Sequence, residues 1–148
     1  TTFDSLKKNV KALNLKQVVL INKGLGEKEK ESKLLINPFS HGGNTLIDSG
    51  KEFSTKNKQE NVSITTLDNF VKENNINQID VIKVDIEGYE FNFLQGAKET
   101  IKRFKPKIII SAYHCSDDKK KIPKSILGIR KDYKFKLIKS TEEDFIFW

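Results

Sequence analysis

A chain of 148 residues that is 36% hydrophobic and 32% charged has the composition of one globular domain. No apolar run approaches the ~20 residues that a membrane-spanning helix needs, and the opening TTFDSLKKNV lacks the apolar core of a secretory signal. The net charge of +7 raises the question of nucleic acid, but the basic residues are nearly all lysine, with only Arg103 and Arg130 able to form bidentate forks.

The first residues, Thr2–Leu15, set Phe3, Leu6, Val10 and Leu13 at helical spacing. Gln17–Ile21 (QVVLI) reads as a short strand, followed by a turn with Gly24 and Gly26 and a charged stretch. Lys33–Ile36 begins an expected edge strand, and Asn37–Gly50 is an expected loop carrying His41, Gly42 and Gly43. Asn61–Leu67 alternates Val62 and Ile64 on one face, as a strand does, and Asp68 stands where a helix cap is wanted.

Ile79–Glu90 (IDVIKVDIEGYE) is the most informative stretch. Its β-branched run ends on Asp85, Glu87 and Glu90, with Gly88 providing a sharp exit into a helix expected from Tyr89 to Phe104. Pro106 stops that helix and opens a strand ending at Tyr113 and His114. Asp117–Lys124 reads as a polar loop, Ile126–Lys131 as a short helix, and Tyr133–Ile138 and Asp144–Trp148 as strands. The Lys119–Lys121 run in that loop has no interleaved aromatics to stack bases, so a solvated loop accounts for it better than a nucleic-acid surface.

Alternating strands and helices predict an α/β sheet, mostly parallel. The connection between the last two strands is too short for a helical crossover, so an antiparallel C-terminal hairpin is expected. In such a sheet the carboxylates sit at the carboxyl edge, where ligands bind. A parallel following strand would bring His114 to the same edge as Asp85. Asp85, Glu87 and His114 offer a donor set for a hard cation, but no spacing signature requires one and no metal is assigned. Polar residues ending a strand, with Glu90 merely decorating a helix N-terminus, are the plainer account of the same residues. Cys115 is the only cysteine, which excludes an internal disulfide and favours a reducing cytoplasm. The chain has no methionine at all, so its numbering is expected to begin inside a longer protein, with a processed or engineered start as the plainer alternative.

Three passages in order, TTLDNF at Thr65–Phe70, IDVIKVDIEGYEFNFLQGA at Ile79–Ala97 and PKIIISAYH at Pro106–His114, resemble the FkbM family of class I S-adenosylmethionine-dependent methyltransferases. The resemblance implies a single Rossmann-like domain that transfers a methyl group from S-adenosylmethionine. The acceptor it implies is a hydroxyl oxygen of a sugar, glycan or other small metabolite. It departs from the family in lacking the glycine-rich Asp-x-Gly-Ala-x-x-Gly turn and the acidic residue after the second strand, which hold the methionine moiety and the ribose of the cofactor. On that reading the N-terminal strands lie upstream of Thr1.

By the same resemblance, Asn22, Gly24 and Leu25 form the surface that meets the adenine. Asp85 is the expected general base or orienting group, with Glu87 sharing the task or fixing Lys83. His114 is an acceptor-binding group or alternative base. Lys83, Glu90 and Tyr113 are expected on the acceptor side, although Lys83 as a surface charge and Tyr113 as a packing residue are open alternatives. A catalytically silent α/β binding domain and a lysine-rich nucleic-acid binder are the rival functions.

Overall fold

The computed structural model describes residues 2–38, 43–46, 58–139 and 142–148. The elements run α1 (Thr2–Ala12), β1 (Gly24–Leu25), β2 (Lys30–Leu35), β3 (Thr45–Leu46), β4 (Gln59–Thr65), α2 (Leu67–Glu73), β5 (Val81–Val84), α3 (Glu90–Gln95), α4 (Lys98–Phe104), β6 (Lys107–Ser111), α5 (Asp118–Ile129), β7 (Phe135–Lys139) and β8 (Glu143–Phe147). They form a mixed α/β fold with two four-stranded sheets, ordered β1-β4-β2-β3 and β5-β6-β8-β7.

The expectation of a mostly parallel sheet does not hold among the described residues. Only β1–β4 and β5–β6 pair parallel, while the other four pairings are antiparallel. The antiparallel β7–β8 hairpin is present as expected, but β8 also inserts between β6 and β7. A hairpin's short connection fixes how its own strands run. It says nothing of which neighbour the second strand also meets.

The main core is built on the second sheet. Ile108 and Ile110 of β6 and Phe145 and Phe147 of β8 bury against Leu94, Ala97 and Ile101 from the adjoining helices and Ile122 and Ile126 of α5. Ile122 and Ile126 stand four apart on one face of α5. The residues expected as a polar loop at Asp117–Lys124 therefore lie almost wholly inside this helix, and Pro123 sits within it. Lys119 pairs with Glu143 at 2.5 Å, and Lys121 with Asp117 at 2.5 Å, so these lysines meet carboxylates of the protein itself. A smaller cluster, Leu46, Ile64 and Tyr89, joins the first sheet to the turn after β5.

Other expectations are corrected by local packing. Gln17–Ile21 is not a strand: Val19 is 81% exposed, and no strand among the described residues pairs with the run. β2 begins at Lys30, within the stretch expected as a charged connection, and is an inner strand flanked by β3 and β4. β3 lies within the expected loop, where His41 and Gly42 fall outside the described residues. The single helix expected over Tyr89–Phe104 is broken at Gly96–Ala97 into α3 and α4. Asp68 is not the cap of α2. Thr66 is, its hydroxyl accepting the Asn69 N–H at 3.0 Å, while the Asp68 carboxylate accepts the Glu99 and Thr100 N–H groups that begin α4. No helix among the described residues is long and apolar enough to cross a membrane.

Candidate functional site

The apolar residues of β5 stop at Val84, and the next four residues make the turn into α3. Glu87 and Gly88 both take positive φ, 57° and 98°. Glycine adopts this backbone freely, but for Glu87 it costs energy that surrounding contacts must offset. The Thr45 hydroxyl donates to the Glu87 carbonyl at 2.8 Å and helps to hold the turn. The result is that Asp85 and Glu87 turn outward, partly exposed, while Glu90 turns inward.

Glu90 is 0% exposed. Its Oε1 accepts the Ile86 N–H at 3.0 Å and lies 2.8 Å from His114 Nδ1. The other side of the His114 ring, Nε2, lies 3.7 Å from Asp85 Oδ1 and 3.6 Å from Glu87 Oε2. The His114 side chain is 4% exposed and its ring packs 4.1 Å from that of Tyr113. β6 ends at Ser111, so His114 reaches Asp85 from the loop beyond the strand, on the parallel neighbour of β5. Of the residues singled out in the sequence, Asp85, Glu87, Glu90, Tyr113 and His114 thus converge.

Lys83 takes a different partner from the one expected. Its Nζ donates to Asp144 Oδ1 at 3.0 Å and Ser111 Oγ at 3.2 Å, and stands 3.9 Å from Asp85 Oδ2. The Ser111 hydroxyl also donates to Asp144 Oδ1 at 2.9 Å. Ser111 and Asp144 were invisible from the sequence as site residues. The β6–β8 register that makes them partners, Ser111 opposite Asp144, depends on a pairing between strands distant in sequence.

The carboxylates shape the local electrostatics. Burial pushes the Tyr113 hydroxyl up to about 12, with Asp85, Glu142, Glu87 and Asp144 adding to the effect. Burial also pushes the Glu90 carboxyl upward, but the bonds from His114 and the Ile86 N–H outweigh it and leave Glu90 below the usual range. Asp118, buried at the start of α5, is raised by its burial and by nearby Glu90, although its Oδ2 accepts the Cys115 N–H at 2.7 Å. Donor atoms of Asp85, Glu87 and His114 lie within 4.8 Å of one another, which a cation could share. Exposed acidic groups are common at such spacing without one, so no ligand role is assigned.

A cavity of about 540 Å³ opens beside this cluster. Asn22, Gly24 and Leu25 line one part of it and Asp85 and Glu87 another, with Phe3 and Leu6 of α1 also on its wall. This explains the apolar stripe of α1, none of whose residues is fully buried. Tyr89, not among the residues singled out in the sequence, also lines it and packs against Ile64 and Leu46. Lys83, Glu90, Tyr113 and His114 do not line it. Glu90, expected on the acceptor side, is instead wholly inside and faces His114.

The family model described as Methyltransferase FkbM domain matches residues 5–137. Among solved structures, the fold is similar to the crystal structure of methyltransferase FkbM from Methylobacillus flagellatus KT, with a TM-score of 0.72 and 24% sequence identity. That likeness covers 98% of this chain and 33% of the other, so the chain spans about a third of its neighbour's length. No curated protein matches.

Proposed function

This chain belongs to the FkbM methyltransferase family, and from that premise we propose that it contributes part of a site for S-adenosylmethionine-dependent methyl transfer to a hydroxyl oxygen. The observation that carries the reading is the cavity of about 540 Å³ shared by Asn22, Gly24 and Leu25 with Asp85 and Glu87. Its size lies within the about 300–1,000 Å³ typical of ligand sites, and its mixed wall suits an adenosyl group. S-adenosylmethionine supplies a methyl group already activated on a sulfonium.

On this reading Asn22, Gly24 and Leu25 face the cofactor's base. Asp85 orients the acceptor hydroxyl and takes its proton as the oxygen–carbon bond forms and the sulfur–carbon bond breaks, with Glu87 beside it. Lys83, through Asp144, and the partly exposed ring of Tyr113 border the acceptor's approach. The acceptor class is a sugar, glycan or other hydroxyl-bearing small molecule, and the compartment is the cytoplasm. The two sheets are read as parts of a Rossmann-like architecture completed by the rest of the enzyme. Positioning the reacting atoms contributes about 7–11 kcal/mol to such reactions, and a general base a further 10²–10⁴-fold, so a site of carboxylates without a covalent nucleophile is chemically sufficient.

Calorimetric titration of S-adenosylmethionine into the full-length protein tests this. Saturable one-site binding, weakened by Asn22→Ala, is expected. Absence of binding in the folded full-length protein sinks the reading.

A further inference from the structure

We propose that His114 is an imidazolium held by Glu90, and that it acts as a positioning residue for Asp85 and Glu87 rather than as the base. The geometry is that of one ring surrounded by carboxylates. Nδ1 is 2.8 Å from Glu90 Oε1, and Nε2 is 3.7 Å from Asp85 Oδ1 and 3.6 Å from Glu87 Oε2. A neutral imidazole has a single N–H. Whichever nitrogen carried it, the other would aim a lone pair at carboxylate oxygen. With both nitrogens protonated, one N–H is donated to Glu90 and the other is directed between Asp85 and Glu87.

The charged and titratable groups around the ring come from every packed element. Glu90 belongs to α3, Asp85 and Glu87 to the turn after β5, and Asp118 to α5. Tyr113 and Cys115 flank His114 in its own loop. Lys83 bonds Asp144 at 3.0 Å and stands 3.9 Å from the other oxygen of Asp85, while Lys121 pairs with Asp117. A proton on His114 adds positive charge between Asp85 and Glu87, beside that which Lys83 brings to the other oxygen of Asp85. The bond from that ring is also among the interactions that hold the fully buried Glu90 carboxyl below its usual range, against the opposing effect of burial.

Functionally, the pair sets where the Asp85 carboxylate points. The His114 side chain is almost fully buried, so it stands behind Asp85 and Glu87 and out of the acceptor's reach. The part assigned to Asp85 rests on the methyl-transfer reading, whereas the charge state of His114 does not.

Long-range proton–nitrogen correlation spectra of the full-length protein labelled with ¹⁵N-histidine test the charge, with His114 identified by its loss in His114→Gln. At pH 7.5, where an ordinary histidine with a pKa of about 6.5 is neutral, both ring nitrogens of His114 are expected to carry protons. Glu90→Gln, which keeps the shape and the acceptor oxygen, should lower the midpoint of that titration by about one unit or more. A singly protonated His114 in the wild-type protein at pH 7.5 overturns the inference, even if methyl transfer is demonstrated. The positioning role is read separately: His114→Gln should lower kcat while leaving S-adenosylmethionine affinity unchanged. An unchanged kcat overturns that role.

Discussion

Asp68 and Thr100 meet at the start of α4, where the Thr100 N–H donates to Asp68 Oδ1 at 2.8 Å while the neighbouring Glu99 N–H donates to Oδ2 at 3.1 Å. A side chain on α2 therefore caps a different helix, and the Asp68 N–H in turn donates to the Gly96 carbonyl at 3.0 Å. Since α4 adjoins the helix that carries Glu90, this clamp supports the site from behind. Replacing Asp68 by Ala should destabilise the fold by about 1 kcal/mol, the usual cost of a lost cap, with Asn retaining part of it. A urea midpoint unmoved by Asp68→Ala would remove the clamp from the account.

Gly96 lies at the same junction. A Cβ there would fall on the Gly26 carbonyl oxygen and crowd the Thr66 side chain. Gly96→Ala should cost about 1–3 kcal/mol, because backbone must move to admit it. Thermal unfolding gives the number, and an unshifted Tm would mean the approach is looser than it looks.

Glu87 combines an unfavourable backbone with a place in the carboxylate cluster. Both Glu87→Gly and Glu87→Ala delete the carboxylate, but only Gly relieves the left-handed φ. The Gly variant should therefore be the more stable of the two by about 1 kcal/mol, with both impaired in methyl transfer. Equal stability of the pair would show that the turn is not strained.

For Asp85, the proposed chemistry predicts a kinetic effect separate from binding. Asp85→Asn should reduce kcat by about 10²–10⁴-fold, the span of a lost general base, with cofactor affinity little changed. Undiminished turnover would reassign the proton.

Alkali should loosen the fold through Tyr133. Its hydroxyl is buried and donates to the Pro106 carbonyl at 2.7 Å, and burial, opposed by Arg130 and aided by Asp132, raises it to about 12. Below pH ~10, the ordinary tyrosine value, folded and unfolded chains both keep this proton and its contribution to stability is complete. Between there and about 12 only the unfolded chain loses the proton, so stability falls as pH rises. Tyr133→Phe should give up about 1 kcal/mol at neutral pH and show a shallower alkaline decline. Identical decline in the variant would place the sensitivity elsewhere, for instance at Tyr113, which is raised in the same sense.

The carboxylate-tipped strand and the approach of His114 to Asp85 were legible because they depend on local periodicity and one parallel pairing. The resemblance carried by Thr65–Phe70, Ile79–Ala97 and Pro106–His114 anticipated the family that the match over residues 5–137 establishes. Val18 and Val19 misled for a physical reason: β-branched side chains fit a sheet, but a strand exists only where a neighbour offers hydrogen bonds. Asp68 misled because capping is a matter of which N–H groups lie within reach, and the nearest proved to belong to a helix 31 and 32 residues on. Glu90 reads in the sequence as an acceptor-side group, or as a charge decorating a helix start. Its burial depends on the positive-φ turn at Glu87–Gly88, which glycine alone hinted at. Ser111 and Asp144 needed the position of β8, which hydrophobic patterning does not encode.

That position of β8 has a consequence for how the protein comes into being. The strand that follows β7 in sequence is the one lodged between β6 and β7. As synthesis proceeds, β6 and β7 are complete before the segment that separates them has left the ribosome. Until then β6 presents an open, strongly β-branched border, the kind of surface on which nascent chains stick to one another. Arrival of β8 seals that border and in the same movement delivers Asp144 to Lys83 and Ser111. Maturation of the site and protection of the β6 border are therefore a single event, set by when those five residues take their place.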